Sequence, residues 1–310
     1  MITIFATPKP FTGHIAIIQR NAITSWTLLR PRPEIVLVGD DQGVAEIAAE
    51  LGVCHLPVVE RNEYGTPLLR DIFAKAEGQA SHDLLCYINA DILLLGDFMN
   101  AVKQITGWRR PFLMIGRRTD VGISSALSFG SPGWETDARR RAAHEGELKA
   151  PMAIDYFVFT RGLYGRIPPF ALGRCAWDNW LVWRARSLKT PVVDATGSVL
   201  AIHQHHDYSH HPGGFEGVWR GEEARWNREL AGPRGFATIE DATHKLTAEG
   251  VERNFFCRLA PLRRTLQRRW LQLLEVSWPV RYALGLRRAN LARLTAKVAS
   301  IGGQLRQGRQ

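Results

Sequence analysis

The sequence has few cysteines, no long apolar run and no internal repeat. Its four cysteines, Cys54, Cys86, Cys175 and Cys257, are widely spaced and form no paired motif, which argues against a disulfide framework and against a cysteine zinc site. No window approaches the roughly 18 consecutive apolar residues that a membrane-spanning helix needs. The first residues have neither a cationic leader nor a small-residue cleavage site, so we expect no secretory signal and a cytoplasmic protein.

The composition is that of a globular protein with an uneven charge. A chain of 310 residues with 45% hydrophobic content can bury a large core. The whole chain has a net charge of +10. From residue 251 to the end there are thirteen Lys and Arg against two Glu, so this segment alone has a charge of +11. Residues 1–250 carry about −1, and a neutral body is not built to hold a polyanion. We therefore predict a nearly neutral body, residues 1–250, a basic tail, residues 251–310, and no nucleic-acid partner.

Strand-like and helix-like patterns alternate over the first 90 residues. Apolar β-branched runs at residues 2–6, 34–38, 54–59 and 83–88 predict strands, and residues 15–29, 44–51 and 66–78 have helical patterns. Helical connections of this length imply parallel strands. Open sheets of this kind bind ligands beyond the carboxyl ends of their strands. The residues that follow the strands are therefore the candidates for binding, and they include Thr7, Pro8, Asp40, Asp41, Asn89 and Asp91.

The most informative stretch is residues 87–92, Tyr-Ile-Asn-Ala-Asp-Ile. Asn89 and Asp91 are two residues apart, so their oxygen-bearing side chains share a face of the extended chain. Hard cations such as Mg²⁺ take few protein oxygens and complete their shell with water and substrate phosphates. A strand-end turn without a ligand is the alternative interpretation.

This stretch resembles the Asp-x-Asp motif of GT-A glycosyltransferases, particularly the large inverting family 2, with Asn89 in place of the first aspartate. The resemblance implies a Rossmann-like, mostly parallel α/β sheet flanked by helices. It also implies that Asp91 binds Mn²⁺ or Mg²⁺ and that Asn89 lies near the ribose or a bound water. The donor would be a nucleotide-diphosphate sugar and the acceptor a hydroxyl group.

Two further segments match the order of the family's motifs on the nucleotide side. Asp40 and Asp41 stand where these enzymes place a carboxylate on the base, and Arg70 lies in a segment like their second nucleotide-contacting helix. The alternatives are a helix N-cap for the two aspartates and a solvated helix residue for the arginine.

Asp155, in a strand-like run, is a candidate for binding donor hydroxyls, and the alternative is an outward-facing strand residue. Arg117 and Arg118 are candidates for neutralising phosphate charge or surface residues.

The acceptor side is marked by Asp178, in the segment of residues 173–180. An inverting transfer needs a carboxylate that takes the acceptor's proton, and Asp178 is the predicted general base. Trp177 and Trp180 flank it and are expected to stack on a sugar and to raise its basicity by partial desolvation. The alternative is that Asp178 caps the following helix.

Half of the ten histidines lie in residues 201–211. In many GT-A enzymes a histidine after a late strand supplies a further metal ligand, and the resemblance assigns this role to His203, with His206 and His205 as neighbours that sequence does not separate. A zinc site is an alternative because imidazole suits zinc, but neither cysteine nor a helical His-Glu-x-x-His spacing supports it.

Two other functions compete with glycosyl transfer. A sugar-1-phosphate nucleotidyltransferase would have a Gly-rich phosphate loop after the first strand, whereas this chain has Ala-Thr-Pro-Lys-Pro. A non-catalytic binding protein of the same fold is the other alternative, and Asn89 favours it. Neither the base, the sugar nor the acceptor follows from these residues.

The basic tail has apolar residues at helical spacing between residues 255 and 288, interleaved with Arg263, Arg264, Arg268 and Arg269. This pattern is typical of an amphipathic helix, and an arginine-rich face opposite Trp and Leu suits an anionic membrane surface. Packing against the catalytic body or a partner is the alternative. We therefore expect a basic helical C-terminal extension, with peripheral contact to the inner face of the membrane as one of its two interpretations.

Overall fold

The alternating pattern of the first 90 residues folds as an α/β sheet. The structure, a computed structural model, describes residues 1–108, 111–131, 133–206 and 213–259. The strands are β1 Thr3–Ala6, β2 Glu34–Val38, β3 Cys54–Leu56, β4 Leu84–Ile88, β5 Ile92–Leu93, β6 Leu113–Val121, β7 Glu147–Leu148, β8 Ile154–Thr160, β9 Val192–Asp194, β10 Ala201–Gln204, β11 His244–Thr247 and β12 Gly250–Arg253. The helices are α1 Gly13–Thr27, α2 Val44–Leu51, α3 Leu69–Gln79, α4 Gly96–Thr106, α5 Trp134–Glu145, α6 Trp177–Ser187, α7 Gly214–Arg220 and α8 Glu222–Ala231. Short 3₁₀ turns span Ile239–Asp241 and Phe255–Leu259.

The sheet has the strand order β12-β11-β9-β6-β8-β4-β1-β2-β3. Strands β3, β2, β1 and β4 are parallel, as are β6, β9 and β11. Strand β8 lies between β4 and β6 and is antiparallel to both. Strand β10 pairs with β6 and β5 beside this main path. The predicted fold class, a mostly parallel α/β sheet flanked by helices, is confirmed.

Apolar layers cover both faces of the sheet. Ile4 faces the layer that contains Trp26 of α1 and Phe98 of α4. The next residue, Phe5, faces the layer that contains Phe73 of α3, together with side chains of α6. Since successive strand residues point to opposite faces, a strand covered on both sides must be apolar at nearly every position. This explains why β1, β2 and β4 are continuous apolar runs.

Two element boundaries differ from the sequence prediction because of proline. The strand predicted over residues 54–59 ends at Leu56, since Pro57 has no N–H to donate to a neighbouring strand. The helix predicted over residues 66–78 begins at Leu69, because a residue that precedes proline disfavours the helical conformation and Thr66 precedes Pro67.

The described secondary structure continues beyond residue 250, because β12 spans Gly250–Arg253. Strand β12 pairs with β11, and the compact unit runs from Met1 to Cys257. The greater part of the predicted tail, residues 260–310, lies outside the described residues, so the division into body and tail stays a prediction. Within the described ranges, no helix is long and apolar enough to cross a membrane.

Candidate active site

Three side chains that can bind a metal meet at the carboxyl end of β4. Asp91 follows this strand after a short turn, in which the N–H of Ile92 bonds to the carbonyl of Asn89 at 3.2 Å. His203 lies in β10, opposite Ile92 of β5 on one side and Asp120 of β6 on the other. The N–H and the side-chain amide of Gln204 both donate to the carbonyl oxygen of Asp91, at 3.3 and 3.1 Å. Sheet pairing thus brings residues more than 100 positions apart to one place.

The ligand atoms of Asp91, His203 and His206 lie within 4.8 Å of one another. Nε2 of His206 is 3.1 Å from Oδ2 of Asp91, and Nε2 of His203 is 3.8 Å from the same oxygen. Oδ1 of Asp91 is buried and has no hydrogen-bond donor among the described residues. Buried carboxylate oxygens nearly always have a partner, so this atom fits a metal ligand. Among the predicted histidines, His205 is exposed and lies outside this cluster.

The charges around Asp91 keep it ionised. Burial opposes its ionisation, but His203, the hydrogen bond from His206 and the charge of Lys9 together hold the pKa of Asp91 below its usual range. Lys9 follows β1, and its backbone is fixed by two hydrogen bonds with the side-chain amide of Gln19, at 2.6 and 2.8 Å. Burial lowers the pKa of Lys9, while the charge of Asp91 raises it. A deprotonated carboxylate is the state that a cation needs.

A carboxylate contacts the ring nitrogen of His203 that does not face Asp91. Its Nδ1 is 3.1 Å from Oδ1 of Asp120, and Asp120 also pairs with Arg118 at 2.9 Å. Metal-binding histidines usually contact a carboxylate or carbonyl through their second ring nitrogen, which fixes the orientation of the ring. The arrangement leaves Nε2 of His203 facing Asp91.

Asn89 and Asp155 form a partly buried pair beside the cluster of Asp91, His203 and His206. The amide of Asn89 donates to Oδ1 of Asp155 at 2.6 Å, and Arg118 pairs with Oδ2 of Asp155 at 3.0 Å. Asp155 is only 6% exposed, so the interpretation of this residue as an outward-facing strand residue is wrong. Burial opposes the charge of Arg118, but Asp155 and Asp120 raise its pKa above the usual range. Asn89 therefore acts as a hydrogen-bond donor that an ionised aspartate could not replace.

We expect Asn89→Asp to destabilise the protein by about 1 to 3 kcal/mol at pH 8, because it places two carboxylates in contact. The loss of stability should be smaller at pH 5, because one of the two carboxyl groups can then bind a proton and donate it to the other in a hydrogen bond. Thermal unfolding at both pH values measures this, with Asn100→Asp, at an exposed position of α4, as the matched control. Equal unfolding midpoints for the two variants at both pH values would contradict the structural role of Asn89.

Asp178 lies in the first turn of α6, close to this network. The N-cap of α6 is Ala176, with φ of +81°, and no side chain caps the helix, so the interpretation of Asp178 as an N-cap is wrong. Burial and the charge of Asp155 raise the pKa of Asp178 to about 7, against backbone hydrogen bonds and Arg118 that lower it. Its Oδ1 is buried and has no partner among the described residues. A left-handed alanine costs about 1 to 3 kcal/mol, so this entry into α6 is a strained one that orients the carboxyl group.

The tryptophans beside Asp178 belong to the core. Trp177 packs edge-on against Tyr87 with ring centroids 5.4 Å apart, and Trp180 contacts Phe170 at 5.4 Å. Both indoles are buried, so the prediction that they stack on a sugar is wrong.

The predicted nucleotide-side residues lie along the neighbouring strand ends. Thr7 follows β1 next to Gly39 and its buried Oγ1 has no partner in the described part of the chain, while Pro8 is buried. The carboxylates of Asp40 and Asp41 bind one arginine, Arg61, at 2.7 and 3.1 Å. The N-cap of α2 is Gly43 and no side chain caps it, so the capping interpretation of the two aspartates is wrong.

Arg70 lies in the first turn of α3, where its guanidinium binds the carboxylate of Glu60. It is exposed and lines a cleft with Tyr64 and Trp226.

Three charged residues of this region were not predicted from the sequence. Lys9 was in the segment after β1, but nothing in the sequence separated it from its neighbours. Asp120 contacts His203, which lies 83 positions further along the chain. Arg61 binds Asp40 and Asp41, which precede it by 21 and 20 positions. The only available signal was that each lies near the end of a strand-like run, which many surface residues share.

Solved structures with a similar fold exist, and they are glycosyltransferases of the GT-A type. One is residues 1–349 of S. aureus TarS in complex with UDP-GlcNAc, with 10% identity, a TM-score of 0.46, and coverage of 67% of this chain and 60% of that one. Another is glucosyl-3-phosphoglycerate synthase from Mycobacterium tuberculosis with Mn²⁺, UDP and phosphoglyceric acid, with 13% identity, a TM-score of 0.45, and coverage of 76% and 78%. The mannosyltransferase PcManGT from Pyrobaculum calidifontis with GDP-Man and Mn²⁺ has 14% identity, a TM-score of 0.40, and coverage of 65% and 56%.

The chain spans 57% and 60% of the length of the two structures of TarS residues 1–349. No protein-family model matches the chain, and no curated protein sequence matches it. At such low identities the likeness concerns the fold alone, and what this chain binds depends on its own residues.

Proposed function

We propose that this protein transfers a glycosyl group from a nucleotide-diphosphate sugar to an acceptor hydroxyl, with inversion at the anomeric carbon. The observation that carries this proposal is the cluster of Asp91, His203 and His206 at the carboxyl ends of parallel strands, with an unpartnered buried oxygen on Asp91. Beside it lies Asp178, a carboxyl group whose pKa is about 7. The two groups supply the two needs of the reaction, which are a place for the leaving diphosphate and a base for the acceptor.

Asp91, His203 and His206 would hold a divalent cation. Carboxylate oxygen suits Mg²⁺ and Mn²⁺, whereas imidazole suits transition metals, so two histidines and one aspartate favour Mn²⁺ over Mg²⁺. When bound, the cation would neutralise the charge that develops on the leaving diphosphate. Asp120 would keep the His203 ring oriented through its contact with Nδ1.

Two cations of the chain itself are available for the phosphates or the sugar. Lys9 is close enough to Asp91 to affect its pKa, and Arg118 is held by Asp120 and Asp155. Two carboxylates fix Arg118 before a ligand arrives, and the side chain of Gln19 fixes the backbone of Lys9, which reduces the entropy lost on binding. Thr7, Asp40 and Asp41 line the neighbouring strand ends, where the base and ribose would bind. Asn89 would act through Asp155, whose carboxylate it orients.

Asp178 would take the proton of the acceptor hydroxyl as its oxygen attacks the anomeric carbon. A general base works best when its pKa is near the working pH, and burial brings the pKa of Asp178 to about 7.

The first test is calorimetric titration of UDP, GDP, dTDP and CDP into the purified protein, each without metal, with Mn²⁺ and with Mg²⁺. We expect one nucleotide to bind with an affinity that depends on metal and is higher with Mn²⁺. Metal-independent binding would favour the alternative of a non-catalytic protein. If no nucleotide binds in any condition, the transferase proposal is wrong.

We further propose that the basic tail attaches the protein to the inner face of an anionic membrane. The support is its charge of +11 over residues 251–310. Each basic residue near such a surface contributes about 1 kcal/mol. In the full-length chain, replacing Arg263, Arg264, Arg268 and Arg269 with glutamine should therefore weaken flotation with phosphatidylserine vesicles by about 1000-fold at most. Vesicles of phosphatidylcholine are the control. Equal flotation of both proteins with both lipids would contradict attachment by charge.

A further inference from the structure

The cleft that Arg70 lines with Tyr64 and Trp226 lies between the loop after β3 and helix α8, and its volume is about 320 Å³. Its walls carry Tyr64 and Trp226, whose side chains are 56% and 52% exposed, together with Leu68 and Pro169. Two exposed aromatic rings that line one cleft together with apolar side chains form a contiguous apolar surface, which is a feature of ligand-binding sites. The volume is at the lower end of the range for small-molecule sites, about 300 to 1,000 Å³.

The loop that carries Tyr64 is held by hydrogen bonds. Asn62 accepts from the backbone N–H groups of Tyr64 and Thr66 at 3.0 and 2.9 Å through its side-chain oxygen. The side-chain nitrogen of Asn62 donates to Glu223 of α8 at 2.7 Å. Tyr64 itself donates to Glu222 at 2.7 Å. The tyrosine ring is thus fixed in place before any ligand binds.

Helix α8, which carries Trp226, is fixed by hydrogen bonds to the segment that precedes α6. The side chain of Asn227 is buried and bonds to the N–H and the carbonyl of Ala171, both at 2.9 Å. Glu223 pairs with Arg174 at 2.8 Å. The ring of Tyr64 and the backbone of α8 are thus held in place on either side of the cleft, which reduces the freedom that is lost when a ligand binds.

The charge of the cleft selects against anions. Among the described residues that line it are Glu63, Glu222 and Glu223 and a single cation, Arg70, which is already paired with Glu60. A phosphate or another anion would be repelled. Carboxylates and the tyrosine hydroxyl are partners for hydroxyl groups, and the apolar face of a pyranose ring matches an aromatic ring. The combination fits a neutral saccharide.

The cleft is next to the acceptor side of the candidate active site. Glu223 contacts the loop after β3 with one oxygen and Arg174 with the other. Arg174 is four residues before Asp178, and its charge lowers the pKa of Lys9. An acceptor longer than one sugar could therefore reach from the base at Asp178 to the cleft.

We propose that the cleft between Tyr64 and Trp226 is a carbohydrate subsite that binds a neutral sugar ring of an extended acceptor. The role as acceptor subsite rests on the proposed glycosyl transfer, whereas the binding of saccharide does not. A saccharide bound here would hold the acceptor while a distal hydroxyl reaches Asp178. The enzyme would then prefer oligosaccharides to monosaccharides as acceptors.

The test is saturation-transfer NMR with four neutral trisaccharides, cellotriose, maltotriose, chitotriose and mannotriose, followed by titration of those that bind. No metal and no nucleotide is present. We expect at least one to bind wild type, and trigalacturonate to bind more weakly. Trp226→Ala and Tyr64→Ala should each weaken binding by about tenfold, as expected for loss of one aromatic contact surface. Tyr64→Phe, which keeps the ring, should lose less.

The matched control is Trp219→Ala, which removes a tryptophan on α7 that is 38% exposed and does not line the cleft. It should bind the trisaccharide as wild type does, and thermal unfolding checks that all variants fold. The inference is overturned if no neutral trisaccharide binds wild type, if Trp226→Ala binds it as tightly as wild type, or if trigalacturonate binds more tightly. Nucleotide titration is independent of these results, so failure of the donor site and failure of the subsite are distinguishable.

Discussion

Asp91→Ala is expected to lower the affinity for the nucleotide bound with Mn²⁺ by about 100-fold or more, since even the outer partners of metal ligands are worth about 10- to 100-fold. The reason is that Asp91 is the only carboxylate of the cluster with His203 and His206 in the part of the chain that the structure describes. Without it two imidazoles remain, and they lack the charge that attracts the cation. Calorimetric titration with and without Mn²⁺ measures the change.

Asp91→Asn separates the charge of this residue from its shape. The amide fills the same volume but bears no negative charge, so we expect most of the metal dependence to be lost in this variant too. Asp83→Ala is the control, because Asp83 stands at the opposite end of β4 and its side chain is 75% exposed. If Asp91→Ala binds the nucleotide and Mn²⁺ as tightly as Asp83→Ala does, the metal site is elsewhere.

Asp178→Asn is expected to reduce the rate of transfer by about 100- to 10,000-fold, the range typical of a lost general base. Nucleotide affinity should change little, because Asp178 is assigned to the acceptor and not to the donor. The measurement is the release of nucleoside diphosphate with an acceptor that supports turnover. If Asp178→Asn transfers the sugar at the rate of wild type, Asp178 is not the general base.

The pH profile tests the same assignment. Burial and Asp155 raise the pKa of Asp178 to about 7, and only the deprotonated carboxylate accepts a proton. The value of kcat/KM should therefore fall about tenfold per pH unit below pH 7 and level off above it. Groups that face Asp178 are Asp155 and Arg118, which are paired with each other, and the thiol of Cys175, whose pKa is raised by burial. A pH-independent kcat/KM between pH 5 and 8 would contradict the assignment.

Stability provides a readout that does not depend on an acceptor. The unfolded chain releases the proton of Asp178 near pH 4, whereas the folded chain holds it to about pH 7. Between these values the folded state binds more protons, so wild type should lose stability as pH rises, by at most about 1.4 kcal/mol per unit. Asp178→Asn removes this cost. It should unfold at a higher temperature than wild type at pH 8 and show a smaller difference at pH 4, as expected for a residue retained for function.

Much of the first half of the fold follows from local pattern. Strand β2 and helix α2 occupy the predicted residues. The apolar run of β2 ends at Gly39, and α2 is bounded by Gly43 and Gly52, which adopt left-handed conformations that favour glycine. Such signals lie within a few residues of the feature that they mark. They are therefore available without knowledge of the rest of the chain.

Strand pairing across long separations is not local. Asn89 and Asp155 are 66 residues apart, and they meet because β8 lies antiparallel between β4 and β6. Nothing near residue 155 indicates which strand it joins. The buried tryptophans beside Asp178 are a similar case, because their neighbours, Tyr87 and Phe170, come from other segments.

The sequence by itself determined the α/β class, the strand ends where binding residues lie, Asp91 as the candidate metal ligand and Asp178 as the candidate base. Hydrophobic periodicity and turn residues report burial and chain reversal locally, which is sufficient for the fold class and the strand ends. Asp91 and Asp178 were assigned by the resemblance of their segments to the motifs of the GT-A family. Only the tertiary structure distinguished His203 and His206 from His205, paired Asn89 with Asp155, and joined Asp40 and Asp41 to Arg61. These contacts depend on which apolar faces pack together over the whole chain, and that choice is made by the complete core.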